Sequence, residues 1–244
     1  MHGLGNDFIV INNLSNTFHL NADMIEKLSN RYTGIGCDQL LVLEKSDDPE
    51  IDFFYKIYNQ DGSLSGQCGN GARCLAKFIW DEKISEKKTL TFKTFSTILE
   101  VILVENGLIK VNMAPPKSVR EYTHQHLKGI FVDLGNPHIV FRVDNIHAPH
   151  LSNFGLDDYN IGYMQIVSKN HIKLKVFERG VGETLACGSG ACAAVVAGIT
   201  QNLLDQRVIV ELQLGSLQIE WQGNSNPVWL TGPAEKSYVG VIKI

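Results

Sequence analysis

Two short segments carry the residues best suited to chemistry. Gln67-Cys-Gly-Asn-Gly-Ala-Arg73 and Ala186-Cys-Gly-Ser-Gly-Ala-Cys192 each set a cysteine directly before a Gly-x-Gly turn. The second copy lies 119 positions after the first (Cys187 against Cys68, 187 − 68). Each opens an apolar run whose spacing predicts a helix. The glycines let the backbone expose several N–H groups at the helix start, where the positive end of the helix dipole lies. A thiolate is favoured there, so both cysteines are expected to ionise below the roughly 8.5 of an unperturbed thiol. The same amides suit a substrate carboxylate. Two such turns face to face would put one sulfur on either side of an α-carbon. One thiolate would remove the proton and the opposite thiol would deliver another, inverting the stereocentre without an electron sink or cofactor. The N–H groups would stabilise the charge that grows on the carboxylate, more strongly in a dry, closed cleft.

Other uses of the thiols fit less well. Five cysteines, an odd number, argue against a disulfide framework. Cys37, Cys74 and Cys192 read as core residues, free cysteine being among the most buried types. The spacings Cys68-x5-Cys74 and Cys187-x4-Cys192 lack the common Cys-x2-Cys knuckle and a nearby His pair, so no metal is expected. A redox pair remains open; it would be a side effect of two close thiols and would inactivate them.

The chain that must position these turns has 244 residues, 44% hydrophobic and 20% charged, enough apolar material for one large domain or two small ones. A net charge of −4 with no Lys/Arg block leaves nucleic acid without a footprint. No apolar run reaches membrane-spanning length, and Met1 to Asp7 lacks the charged and apolar regions of an export signal, so a soluble cytoplasmic protein is expected.

Runs rich in Val, Ile, Leu and Phe predict strands at 8–12, 39–43, 52–58, 90–92, 99–104 and 108–113, then at 129–134, 138–143, 164–168, 172–178, 207–212, 218–221, 228–231 and 239–244. Asn106-Gly107 between two of them is a hairpin signal. Helices are predicted over 21–31 with Asn21 as N-cap, over about 71–81, and over about 190–203, the last apolar nearly all round and therefore wrapped by other structure. Two further segment pairs recur in the same order: His2 to Val10 with Val132 to Val140, and Gly34-Ile-Gly36 with Gly180-Val-Gly182. The repeat implies two homologous halves. Their linker falls near Ala114-Pro115-Pro116-Lys117, where prolines end a strand. The last strand is expected to return to the first half, and a shared site would lie between the halves.

The segments MHGLGNDF, GIGCDQLL, YNQDGSLSGQCGNGARC, DLGNPHIVF, YMQIVSKNHIKLKVFERGVGETLACGSGACA and GVIKI together resemble the diaminopimelate epimerase family over nearly the whole chain. The resemblance implies an α+β fold of two pseudo-symmetric domains. Each is a mostly antiparallel, curved sheet or barrel wrapped on a central helix. The domains would span 1–113 with 233–244, and 114–232. It implies interconversion of LL- and meso-2,6-diaminopimelate for lysine and peptidoglycan synthesis, without pyridoxal phosphate or any other cofactor, by a homodimer. Carried across, Cys68 and Cys187 are the acid/base thiols, and Gly69, Asn70, Gly188 and Ser189 hold the reacting carboxylate. Asn6 and Gln39 lie near the reacting end. Asn59, Asn136, Asn160 and Arg179 hold the distal amino-acid end, where the Arg179 fork suits a carboxylate. Glu178 contributes to amine binding, and His138 with Glu178 tunes the thiols. Tyr238 corresponds to a dimer-interface tyrosine. Thr94-Phe95-Ser96-Thr97 departs from the family by lacking a glycine often found at that turn. A proline or hydroxyproline racemase would share the thiols but lack the distal set. A binding protein would tolerate loss of a thiol, and an isomerase with a carboxylate base could use Glu178, a base that the two cysteines make redundant.

Overall fold

β-Branched and aromatic residues alternate through short runs closed by turn residues, and strands form at these runs. In the computed structural model, which describes residues 1–125, 127–148 and 151–242, contacts divide the chain into two units. One is Met1–Val111 with the chain from Pro233 onward; the other is Asn112–Gly232.

The first unit is built from β1 (His2–Gly3), β2 (Asn6–Asn12), α1 (Ala22–Ser29), β3 (Gln39–Lys45), β4 (Phe53–Asn59), α2 (Gly69–Asp81), β5 (Thr89–Lys93), β6 (Ile98–Leu103) and β7 (Ile109–Asn112). β2–β3 and β4–β5 are parallel pairs; β1–β2, β3–β4, β5–β6 and β6–β7 are antiparallel. The hairpin between β6 and β7 forms as expected. Asn106 and Gly107 both take positive φ (60° and 73°), the mirror-image turn whose twist matches the strands.

The second unit holds β8 (Ser118–His124), β9 (Leu127–Asp133), β10 (Pro137–Arg142), β11 (Asn160–Ser168), β12 (His171–Glu178), β13 (Gly182–Thr184), α3 (Gly188–Thr200), β14 (Arg207–Leu212), β15 (Gly215–Glu220) and β16 (Trp229–Gly232). Its pairings repeat the first unit's order. β10–β11 is parallel, β11–β12 antiparallel, β12–β14 parallel, and β14–β15 and β15–β16 antiparallel. The fold is thus sheet-dominated α+β, with the same order of core strand pairings in both halves; among the described residues α1 has no counterpart between β10 and β11, and β13 has none between β4 and α2.

Each sheet curves onto its helix. α2 packs on β1, β2, β3 and β6, and α3 on β9 to β12 and on β14 to β16. Along β12 the pleat sends Ile172, Leu174 and Val176 inward and leaves the residues between them partly exposed. α3 is buried on every side because Ala191, Ala193, Ala194 and Ala197 let strands approach closely. Full burial of each of its valines adds about 1.5–3 kcal/mol. Among the described residues, no helix is long and apolar enough to cross a membrane.

The structure departs from the sequence reading in places. No strand forms through Val239–Ile242, where Gly240 interrupts the run and Val241 is fully exposed with no ladder beside it; Lys243 and Ile244 lie outside the described residues. The chain nonetheless returns to the first unit, as His2 and Glu235 exchange backbone hydrogen bonds at 2.9 Å. β1, β8 and β13 were not anticipated. Two are shorter than four residues, and β8 (SVREYTH) lacks an apolar alternation. α2 and α3 begin at Gly69 and Gly188, two residues earlier than expected, because the glycines themselves enter the first turn.

Candidate active site

In the first unit, Cys68 caps α2 with an extended backbone (φ −147°, ψ 112°), and its Sγ accepts the Gly71 N–H at 3.4 Å. The side chain is partly exposed. Asn6 Oδ1 lies 3.8 Å from that sulfur and accepts Asn70 Nδ2 at 3.1 Å, while Asn6 Nδ2 donates to Asp38 Oδ2 at 2.9 Å. The ladder places Phe8 opposite Gln39 and Gln39 opposite Asn59. Gln39 Nε2 donates to Asn59 Oδ1 at 2.9 Å, and Asn59 Nδ2 donates to Ser63 Oγ at 3.0 Å. Arg73, fully buried, donates to the Gly69 and Pro233 carbonyls and, at 3.0 Å, to Asn70 Oδ1, which fixes the direction of the Asn70 amide.

The second unit builds a matching half. Cys187 caps α3 (φ −120°, ψ 108°), its Sγ accepting the Gly190 N–H at 3.4 Å, with 4% of the residue exposed. Ser189 Oγ stands 3.6 Å from the sulfur and accepts Asn136 Nδ2 at 3.1 Å. His138 Nε2 lies 3.1 Å from Asn136 Oδ1 and 3.0 Å from Ser189 Oγ. An amide oxygen only accepts, so Nε2 carries the ring proton, and the Ser189 hydroxyl can aim its own hydrogen at Cys187. Asn160 Oδ1 accepts the Arg179 backbone N–H at 3.0 Å, its Nδ2 donates to the Pro137 carbonyl at 3.2 Å, and Thr184 Oγ1 donates to Glu178 Oε1 at 2.7 Å. The Arg179 side chain is exposed.

Register aligns the two halves residue by residue. His138 pairs with Asn160 as Phe8 pairs with Gln39, and Ile161 pairs with Phe177 as Leu40 pairs with Tyr58. His138 thus stands where Phe8 does, Asn160 where Gln39 does, and Glu178 where Asn59 does. The repeat keeps the thiols and the helix starts but sets an imidazole and a carboxylate in the second half only.

That asymmetry corrects one expectation. Burial and then the Glu178 charge push the Cys187 thiol well above its ordinary value, although Ser189 and the Gly190 N–H act the other way. The partial charge at a helix start is too small to outweigh desolvation and an adjacent carboxylate. Burial likewise brings His138 down to about 3, leaving it neutral, and its Nδ1 is buried with no hydrogen-bond partner among the described residues. His138 reaches Cys187 through Ser189. Cys37, Cys74 and Cys192 are buried core residues; burial pushes Cys37 up and Cys74 up to about 12. Tyr238 is 65% exposed, on the tail after Pro233.

Sequence reasoning missed Asp38, Arg73 and Thr184. Asp38 directly precedes Gln39, Arg73 closes the first thiol motif, and Thr184 lies three residues before Cys187. Each was legible as part of a quoted segment, but only contacts show what it holds.

The family model for diaminopimelate epimerase matches residues 1–119 and 130–237. A phenazine biosynthesis protein of the PhzF family from Bacillus anthracis is 15% identical, with TM-score 0.74 over 95% of this chain and 91% of that one. A hydroxyproline epimerase from Agrobacterium vitis is 11% identical, with TM-score 0.69 over 95% and 87%. A methylitaconate-delta-isomerase is 12% identical, with TM-score 0.65 over 95% and 91%. These structures share the fold. With the family match running from Met1 to Ser237 around a single short gap, the chain belongs to the diaminopimelate epimerase family.

Proposed function

We propose that the protein interconverts LL- and meso-2,6-diaminopimelate, with Cys68 and Cys187 as the acid/base pair and no cofactor. One observation carries the reading. Two cysteines at equivalent points of the repeat each cap a helix with the sulfur on a glycine N–H, 3.4 Å away in both units. Removal of an α-proton needs a base, a stabilised carbanion and an acid on the opposite face. Burial and Glu178 keep Cys187 as a thiol near neutrality, ready to give up its proton to the α-carbon. Cys68, as thiolate, would take the other. The S–H bond of one cysteine breaks as that of the other forms, and the reverse reaction exchanges the roles. Helix-start amides at Gly69, Asn70, Gly188 and Ser189 would hold the carboxylate where charge builds, with Asn6 and Gln39 beside it.

The distal end favours diaminopimelate over a ring substrate. Asn59, Asn136, Asn160, Glu178 and Arg179 supply neutral donors and acceptors, a carboxylate for an ammonium and a fork for a carboxylate, suiting a second amino-acid group. A homodimer using Tyr238, a cytoplasmic setting and a place in lysine and peptidoglycan synthesis belong to the same reading. Incubation with LL-diaminopimelate, L-proline and trans-4-hydroxy-L-proline, followed by chiral chromatography, tests it. Conversion of diaminopimelate alone is expected; conversion of either proline with none of diaminopimelate would overturn the substrate assignment.

A further inference from the structure

We infer that Thr94 and Ser96, on the turn between β5 and β6, are positioning residues for Cys68. Two hydroxyls converge on one backbone oxygen: Ser96 Oγ donates to the Gly66 carbonyl at 2.6 Å and Thr94 Oγ1 donates to it at 2.9 Å. Gly66 is two residues before Cys68. Thr94 is 4% exposed and is itself held, its Oγ1 accepting the backbone N–H groups of Ser96 and Thr97 at 3.2 Å each. Phe95, at the tip of the turn, packs edge-on against Phe54 of β4 with ring centroids 5.2 Å apart. The turn is therefore anchored on both sides of the carbonyl it grips. The fit is close, since a side chain at Gly66 would come within 3.0 Å of Ser96 Oγ.

The repeat shows what the clamp replaces. In the second unit the approach to Cys187 runs through β13, which pairs with β12 at Val176–Thr184, Phe177–Glu183 and Glu178–Gly182. At the equivalent place in the first unit the ladder shrinks to the single bridge Tyr58–Leu64. The turns differ in the matching sense. β14 and β15 close between Leu212 and Gly215 across Gln213-Leu214, whereas β5 and β6 close between Lys93 and Ile98 across Thr94-Phe95-Ser96-Thr97. The longer turn sits in the half whose strand support is shorter, and its hydroxyls reach the segment that strand would have held. A chain segment held at few points wanders, and a thiol displaced from its reacting geometry loses rate steeply.

The clamp stands on geometry, while its effect on turnover rests on the proposed epimerase reading, so two readouts are taken. In the intact protein, Ser96→Ala, Ser96→Thr and Thr94→Val/Ser96→Ala are compared with wild type. Iodoacetamide labelling at fixed pH is followed by mass spectrometry at each cysteine, and turnover of LL-diaminopimelate is measured alongside. Loss of one such bond changes the population of the held segment about fivefold. The expected result is a change of about fivefold or more in the Cys68 labelling rate in Ser96→Ala, larger in the double variant and absent in Ser96→Thr. Cys187 labelling should stay within about twofold, and kcat should fall while KM holds. Ser96 is exposed, so Ser96→Ala folds and decides the matter if the double variant does not. Unchanged Cys68 labelling, or equal changes at both cysteines, would overturn the inference. If wild type leaves diaminopimelate unconverted while Cys68 labelling still responds, the clamp stands and the epimerase reading falls.

Discussion

His138 is fully buried at a position where the repeat elsewhere places Phe8, and its burial should be readable as acid sensitivity. Folded, the ring stays neutral down to about pH 3; unfolded, it takes a proton below its ordinary 6.5. Stability from this site is intact above pH 6.5 and is lost as pH falls toward 3, because only the unfolded chain gains the proton. Between pH 7 and pH 5 the loss is about 2 kcal/mol, and it continues at about 1.4 kcal/mol per pH unit below that. His138→Phe removes the titrating group. It also leaves Ser189 and Asn136 short of a partner, a cost of about 1–3 kcal/mol that does not vary over this range. Urea unfolding of wild type and His138→Phe at pH 7 and pH 5 isolates the ring, since every other titrating group is common to both. The stability gap between them should shrink by about 2 kcal/mol on acidification. A gap unchanged between the two pH values would show that the buried neutral imidazole is not what the fold holds at this position.

Glu178→Gln removes the negative charge that raises Cys187, so the pH at which iodoacetamide labels half of Cys187 should move down, as read by site-resolved mass spectrometry. Gly198→Ala drives a methyl to 2.3 Å from Leu204 Cδ1 in the tightly packed α3 region; overpacking of this kind costs about 1–3 kcal/mol and should lower the thermal midpoint. Arg179→Leu should raise KM for diaminopimelate by about tenfold or more with a smaller change in kcat, and Arg179→Lys should restore only part of it, because a point charge does not replace the fork.

The periodicities that place strands and helices are local, and they led to most of this fold from the sequence. Ile172, Leu174 and Val176 alternate as a half-buried strand must, and the wholly apolar run after Cys187 could form only a wrapped helix. The repeated Cys-Gly-x-Gly turns located both helix starts because the glycines and the cysteine act within a few residues of one another. What stayed hidden depends on partners far along the chain. β13 exists because β12 offers it a ladder, and Val239–Ile242 stays irregular although its residues suit a strand. Ionisation was the least legible property. Cys68 and Cys187 sit in nearly the same motif, yet a neutral amide at Asn59 and a carboxylate at Glu178 occupy equivalent places in the two halves. Only the folded register of β12 brings Glu178 to act on Cys187. The double grip of Thr94 and Ser96 on Gly66 spans about thirty residues and leaves no local pattern.

The proposed chemistry has two thiols serving one α-carbon. Incubation of LL-diaminopimelate in deuterated water with wild type, Cys68→Ala and Cys187→Ala, followed by mass spectrometry and chiral separation, measures it most directly. Wild type should form the meso isomer with deuterium at one α-position, and each variant should lose interconversion by several orders of magnitude. Interconversion at the wild-type rate by either variant would contradict the two-thiol mechanism.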